Sequence, residues 1–248
     1  MNIAVCISSV PDTTSKIEFV NNNTEFDKNN IQFVINPYDE FGLTKAMMLK
    51  ESTGAKVTVI TVGLPDVEPV IRKALAIGAD EAIRINFEPK ESQLVACEIA
   101  KYLKDKSFDL IITGKESIDY NGSIVPGMIA EILNLPFINA CIGLDLKENE
   151  VIATREIDGG KEILKTSLPL VIGGQKGLVY ESELRIPNMR GIMTARTKPL
   201  SVIEPSDLSE KVISHSFKKP TEKAACKLID SGNVKELVDL LRNEAKVI

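Results

Sequence analysis

Short apolar runs rich in β-branched residues alternate along the chain with longer segments of helical period, the pattern of a parallel sheet joined by crossover helices. Ile3–Ser8 reads as the first strand, and the polar excursion after it, with Asn21–Asn23 at its tip, as a loop or hairpin. Asn36-Pro37-Tyr38-Asp39 then opens a helix to about Ser52. Asn36 suits the cap, Pro37 the first turn, and Asp39 the positive end of the helix dipole. Val57–Val62 reads as a strand and Val67–Ile77 as a helix closed by Gly78, followed by Glu81–Ile85, Ser92–Lys104 and Leu110–Thr113 as strand, helix and strand.

Past Thr113 a polar turn, Glu116–Ser123, leads into an apolar helix ending near Leu135. From Leu144 to Val171 the period changes: Val151–Ile157 and Ile163–Leu168 flank Asp158-Gly159-Gly160, a hairpin signal, and Leu170–Ile172 reads as a last core strand. Beyond Tyr180 the stretch Arg185–Pro199 is basic, with few periodic apolar positions, and Pro199–Pro220 reads as a polar connector. Helical spacing returns through Val234, Leu237, Leu240 and Leu241. The expected architecture is α/β: a doubly wound, mostly parallel sheet over residues 1–199 with a β-hairpin excursion, then an extended C-terminal arm and helix over 200–248. An arm with so little core of its own packs either on another chain or back on its own domain, and the pattern leaves both open.

Composition narrows the function more than the fold. The 248 residues are 44% apolar and 26% charged, ordinary for a globular chain that buries a core. A net charge of −5, from 30 basic and 35 acidic residues, disfavours a nucleic-acid binder, which would show a basic excess on one face. No apolar run reaches the roughly 18 residues of a membrane span, and Met1–Ser8 runs straight into a strand pattern, so neither a span nor a signal peptide is expected. Cys6, Cys97, Cys141 and Cys226 are widely spaced and form no CxxC pair, which indicates a reducing, cytoplasmic setting rather than disulfides or a metal site. His215 is the only histidine and lies in a polar, Lys-rich stretch, where it reads as a solvated side chain.

Ligands of doubly wound sheets bind outside the carboxyl ends of the strands. The loops that fall there are Cys6–Ser9, Asn36–Asp39, Val62-Gly63 and Gly114–Pro126, and their contents suit a nucleotide. Gly63, Gly114 and Gly122 let backbone come close to a ligand, while Asn36, Asp119, Asn121 and Ser123 offer donors and acceptors to adenine or ribose. Gly122 and Ser123, near a helix start, would face a phosphate. Any βα turn is rich in such residues, so spacing alone does not establish a site. No GxGxxG follows the first strand and no GxxxxGK[ST] occurs, so a dinucleotide-binding Rossmann domain and a P-loop ATPase are both disfavoured.

The stretch ATREIDGGKEILKTSLPLVIG (153–173) resembles the signature of electron transfer flavoprotein β subunits, as do INPYDEFGLTKAMMLKE, IRKALAIGADEAIRI, GKESIDYN, RGIMTARTKP and the EAKVI ending. The blocks keep family order over most of the chain. The resemblance implies an adenine nucleotide alpha hydrolase-like domain, paired as a heterodimer with an α subunit that holds the redox-active FAD. It further implies an electron carrier rather than an enzyme, taking electrons from flavin dehydrogenases such as acyl-CoA dehydrogenases to a downstream acceptor. Nucleotide contacts carry over to Cys6, Asn36, Pro37, Tyr38, Asp39, Val62, Gly63 and the loop Ile118, Asp119, Tyr120, Asn121, Gly122, Ser123, Ile124, Val125 and Pro126. Tyr38 matches the aromatic position that approaches the α subunit's flavin. Met189, beside Arg185, matches the apolar anchor that docks into dehydrogenases, and Glu156 the acid that contacts the mobile flavin domain. Simple loop packing for Met189 and a cross-strand ion pair with Lys161 or Lys165 for Glu156 are the alternatives.

Ordinary family members hold AMP in this chain and electron-bifurcating ones a second FAD. The loop departs from both patterns at Tyr120 and Ile124 and leans towards AMP, or a partly remodelled site. A free-standing adenine-nucleotide module of the universal-stress-protein type is the other open reading; such a module has no use for Pro199–Ile248.

Overall fold

The computed structural model describes residues 1–147, 150–222 and 225–248. Strand β1 (Asn2–Cys6) leads through β2 (Ser9–Pro11), β3 (Phe19–Val20), β4 (Glu25–Phe26) and β5 (Phe33–Ile35) to helix α1 (Pro37–Thr53). Then come β6 (Lys56–Val62), α2 (Glu68–Ile77), β7 (Glu81–Ile85), α3 (Ser92–Lys104), β8 (Leu110–Gly114) and α4 (Val125–Leu133). The chain continues through β9 (Phe137–Lys147), β10 (Glu150–Ile157), β11 (Gly160–Thr166), β12 (Leu170–Gly174), α5 (Met189–Ala195), β13 (Leu200–Ile203) and α6 (Val234–Leu240).

Among the described residues, nine strands form one sheet in the order β11-β10-β9-β12-β8-β1-β6-β7-β13. Only β10 runs against the others, pairing antiparallel with both β9 and β11. The central strands are continuous apolar runs because both their faces are covered. Ile3 and Val5 of β1 face a layer built from Leu43 and Met47 of α1 and Ile71 and Leu75 of α2. The alternate residues Ala4 and Cys6 face Ala96 and Ile99 of α3 and Ile129 of α4. Each fully buried Ile, Leu or Val here contributes roughly 1.5–3 kcal/mol relative to exposure. The result is the expected doubly wound α/β fold, with α1 and α2 on one face and α3 and α4 on the other.

The excursion between β2 and β5 holds the antiparallel pair β3–β4, whose tip residues Asn21, Asn22 and Asn23 all take the left-handed conformation that Asn tolerates (φ 50°, 59° and 63°). Helix α1 ends at Gly54 (φ 69°), whose N–H bonds the carbonyl of Lys50.

Three expectations are corrected. Asn36 stands at the N-cap of α1 as expected, but its side chain makes no cap bond with that helix. Leu170–Ile172 lies in β12, the last buried strand, but Leu200–Ile203, at the start of the stretch read as a polar connector, is a further strand that pairs parallel with β7 at the edge of the sheet. Phe137–Lys147, read as a strand nowhere in the sequence, is the long strand β9 between β10 and β12. The hairpin over Asp158-Gly159-Gly160 is present as β10–β11.

Candidate nucleotide site at the sheet's switch point

From β1 the chain moves outward through β6 to β7, then crosses back to β8 on the other side of β1. The connections of β1 and β8 therefore leave on opposite faces, and a crevice opens between their carboxyl ends, which is where open α/β sheets bind ligands. Cys6–Ser8 forms one lip and Gly114–Lys115 the other.

Asp39 spans this crevice from the first turn of α1. Its Oδ2 accepts the Ser8 N–H at 2.7 Å and its Oδ1 accepts the Gly114 N–H at 2.8 Å. The carboxyl is 4% exposed, and burial pushes its pKa up to about 7 against the bonds from Ser8, Asn36 and Gly114. Gly114 is obligatory here, because a Cβ would lie 2.4 Å from Asp39 Oδ1 and 2.7 Å from Tyr38 Cβ. Cys6, under the same crevice, has its thiol pKa raised by burial and by the Asp39 charge, so it is a wall and not a nucleophile.

Asn36 does the parallel task one turn earlier. Fully buried, it donates from Nδ2 to the Glu116 carbonyl at 2.9 Å and accepts the Ile118 N–H on Oδ1 at 3.2 Å. This tertiary use of the amide is why the Asn36 side chain makes no cap bond, and its backbone carbonyl alone accepts from the first turn of α1. It fixes the root of the 115–124 loop, whose interior is held by Asn121 N–H to the Ser117 carbonyl at 2.8 Å and Ser123 Oγ to the Lys115 carbonyl at 3.0 Å. Asn121 and Ser123 are both left-handed, at φ 49° and 52°. From Asp119 to Ile124 the loop is exposed, with Tyr120 at 60%, and it delivers the chain into the N-terminus of α4. A Cβ on Gly122 would come within 3.9 Å of Ser92 Oγ, so the loop tip also borders the start of α3. Two positive helix ends thus face the same rim, the electrostatics a phosphate needs.

Val62 and Gly63 close the far side. The Gly63 N–H bonds the Ile85 carbonyl at 3.0 Å, and the Gly63 carbonyl accepts from Arg84 Nη1 at 2.9 Å. Arg84, absent from the sequence candidates, is buried, also donates to Asn86 Oδ1 at 2.8 Å and lies 3.4 Å from Glu68. Its signal is a charge flanked by Ile83 and Ile85 in the strand EAIRI. Tyr38 is half-buried beneath the Lys115 ammonium, 5.2 Å from its ring centroid. Pro37 starts α1, while Val125 and Pro126 start α4. The carried-over nucleotide residues therefore gather on one rim, as an open crevice. Two cavities, of about 520 and 630 Å³, lie elsewhere, between α2 and α5 and beside α6.

The docking candidates lie on other elements. Met189 begins α5 and is 75% exposed, and Ile186 before it and Met193 one turn on are exposed too. Gly191 brings α5 close to α2, since a Cβ there would lie 2.3 Å from the Ala76 carbonyl. Arg185 pairs with Glu51 of α1 at 2.7 Å. Glu156, opposite Lys161 in register, takes its hydrogen bond from Gln175 instead, and Lys165 pairs with Glu150 at 2.6 Å. All four cysteines are free, no metal-binding cluster occurs among the described residues, and no helix among them is long and apolar enough to cross a membrane.

A family model described as the electron transfer flavoprotein domain matches residues 24–208. The chain belongs to the electron transfer flavoprotein family. It is 36% identical to the electron transfer flavoprotein subunit beta of Bacillus subtilis, with all of both chains covered. It is 33% identical to the subunit beta of Syntrophomonas wolfei, covering all of this chain and 98% of that one. The mitochondrial subunit beta of Oryza sativa subsp. japonica is 31% identical, with both chains covered completely. The family match spans the rim from Asn36 to Pro126 and stops short of α6, whereas these beta-subunit relatives align through the arm as well.

Proposed function

We propose that this chain is the nucleotide-holding β subunit of a heterodimeric electron carrier. It acts in the cytoplasm and binds AMP at the β1–β8 crevice, while an α subunit carries the FAD that accepts and passes on electrons from flavin dehydrogenases. The observation that carries the reading is the Asp39 bridge: it ties the two lips of the switch point together and leaves the rim lined by the loops on which family resemblance and fold rules converge. The donor set fits an adenine nucleotide. Cys6, Val62 and Ile118 supply an apolar floor, Asp119, Asn121 and Ser123 supply polar atoms in an exposed loop, and the N-terminus of α4 faces a phosphate.

The chain itself makes and breaks no bonds in this reading. The nucleotide acts as a wedge that orders the 115–124 loop. Tyr38 covers one edge of the partner's flavin, and Met189 anchors the dehydrogenase, its apolar thioether giving affinity while Arg190 and Arg196 steer acidic partners. The arm supports the heterodimer: no residue of α6 is buried, and Leu228 is 92% exposed. A free-standing nucleotide module would leave that surface without a purpose. Coexpression with the α subunit of the same source, followed by gel filtration and visible absorbance, tests the reading. A yellow heterodimer is expected, and a colourless monomer under all conditions would overturn it.

A further inference from the structure

After β13 the arm does not leave the domain at once. Ser206 donates its N–H to Glu98 Oε1 at 2.9 Å and its hydroxyl to Oε2 at 3.3 Å, and Lys101 Nζ donates to the same hydroxyl at 2.7 Å. Lys211 N–H bonds Glu91 Oε2 at 2.9 Å. Glu91 and Glu98 are buried carboxylates at the start and middle of α3, and both accept hydrogen bonds from the arm. Further on, the Phe217 N–H bonds the Asn23 carbonyl at 2.7 Å, its ring stacks on Phe19 with centroids 5.0 Å apart and planes within 9°, and Lys219 pairs with Glu18.

The β3–β4 hairpin explains itself through these contacts. A ladder of two residue pairs has no stability of its own in water. We propose that this hairpin is a cleat for the C-terminal arm: Phe19 and Asn23 grip Phe217 within the same chain and so fix the arm's course before any partner arrives. Partner association then orders fewer residues, which is how a preorganised segment gains affinity. That last step rests on the proposed heterodimer; the grip itself does not.

Hydrogen exchange on the full chain alone reads the grip. The Lys211 and Phe217 amides are expected to be protected, and Phe19→Ala to speed exchange at Phe217 by about tenfold, the size of one aromatic pair's contribution, without changing exchange in β1 or β8. Phe217→Ala, a change in the arm and not in the hairpin, should weaken assembly with the α subunit by a similar factor at unchanged nucleotide content. Unprotected amides in the wild-type arm, or assembly indifferent to both variants, would overturn the cleat. Protected amides in a wild-type chain that never binds an α subunit would leave the cleat standing and overturn the heterodimer.

Discussion

Asp39 Oδ1 and the Gly114 N–H meet at 2.8 Å in a space that any side chain at residue 114 would invade. Through that bond the first turn of α1 grips the end of β8, while the other carboxylate oxygen grips the end of β1. Gly114→Ala forces the carboxylate out of its seat and leaves buried partners unpaired. The expected loss is roughly 2–4 kcal/mol, read as a lowered denaturant midpoint together with loss of bound nucleotide. A variant with wild-type midpoint and ligand content would show that the bridge is not needed.

The same bridge makes stability depend on pH. Asp39 titrates at about 7 in the folded chain, raised from 3.8 chiefly by burial. Between those values the folded chain holds a proton that the unfolded chain has released, so this group's contribution is fully present below about 4 and is lost as pH rises through 7. The span is worth at most about 4 kcal/mol. Asp39→Asn is expected to flatten the slope between about pH 4 and 7 relative to wild type. Parallel curves for the two proteins would remove Asp39 as its source.

Much of this was legible locally. Glu81–Ile85 and Ser92–Lys104 fall where their periodicities put them, because β7 alternates little and α3 keeps one apolar stripe. Strand β9 was not legible. Its buried residues Ile138, Cys141 and Leu144 recur every third position, since Ala140 is left-handed (φ 50°) and the pairing with β12 shifts register beside it. No period of two survives such an irregularity. Strand β13 has no buried residue and exists because β7 offers it an open edge. Asn36 and Asp39 read from the sequence as cap and dipole residues and as nucleotide contacts, yet their side chains are used across the fold, on loops about 80 residues away, which no local rule reveals.

Arg84 holds the Gly63 carbonyl from below. Arg84→Met keeps the bulk and removes the donor, so the Val62-Gly63 turn should relax. We expect a stability loss of about 1–3 kcal/mol and weaker nucleotide retention, measured by thermal melting and by ligand content after dialysis. Unchanged retention would exclude the turn from the site.

Met189 presents an exposed thioether on α5. Met189→Ala should slow electron delivery from a dehydrogenase by about an order of magnitude, the effect of truncating an apolar anchor, with flavin content unchanged. Wild-type transfer rates would assign Met189 to loop packing alone.

The central claim is that the β1–β8 rim holds an adenine nucleotide, and it is tested most directly by mass spectrometry of the small molecules released when the purified full chain is denatured. The account predicts AMP in equimolar amount to the chain. A folded chain that releases no adenine nucleotide and takes up none from added AMP would contradict it.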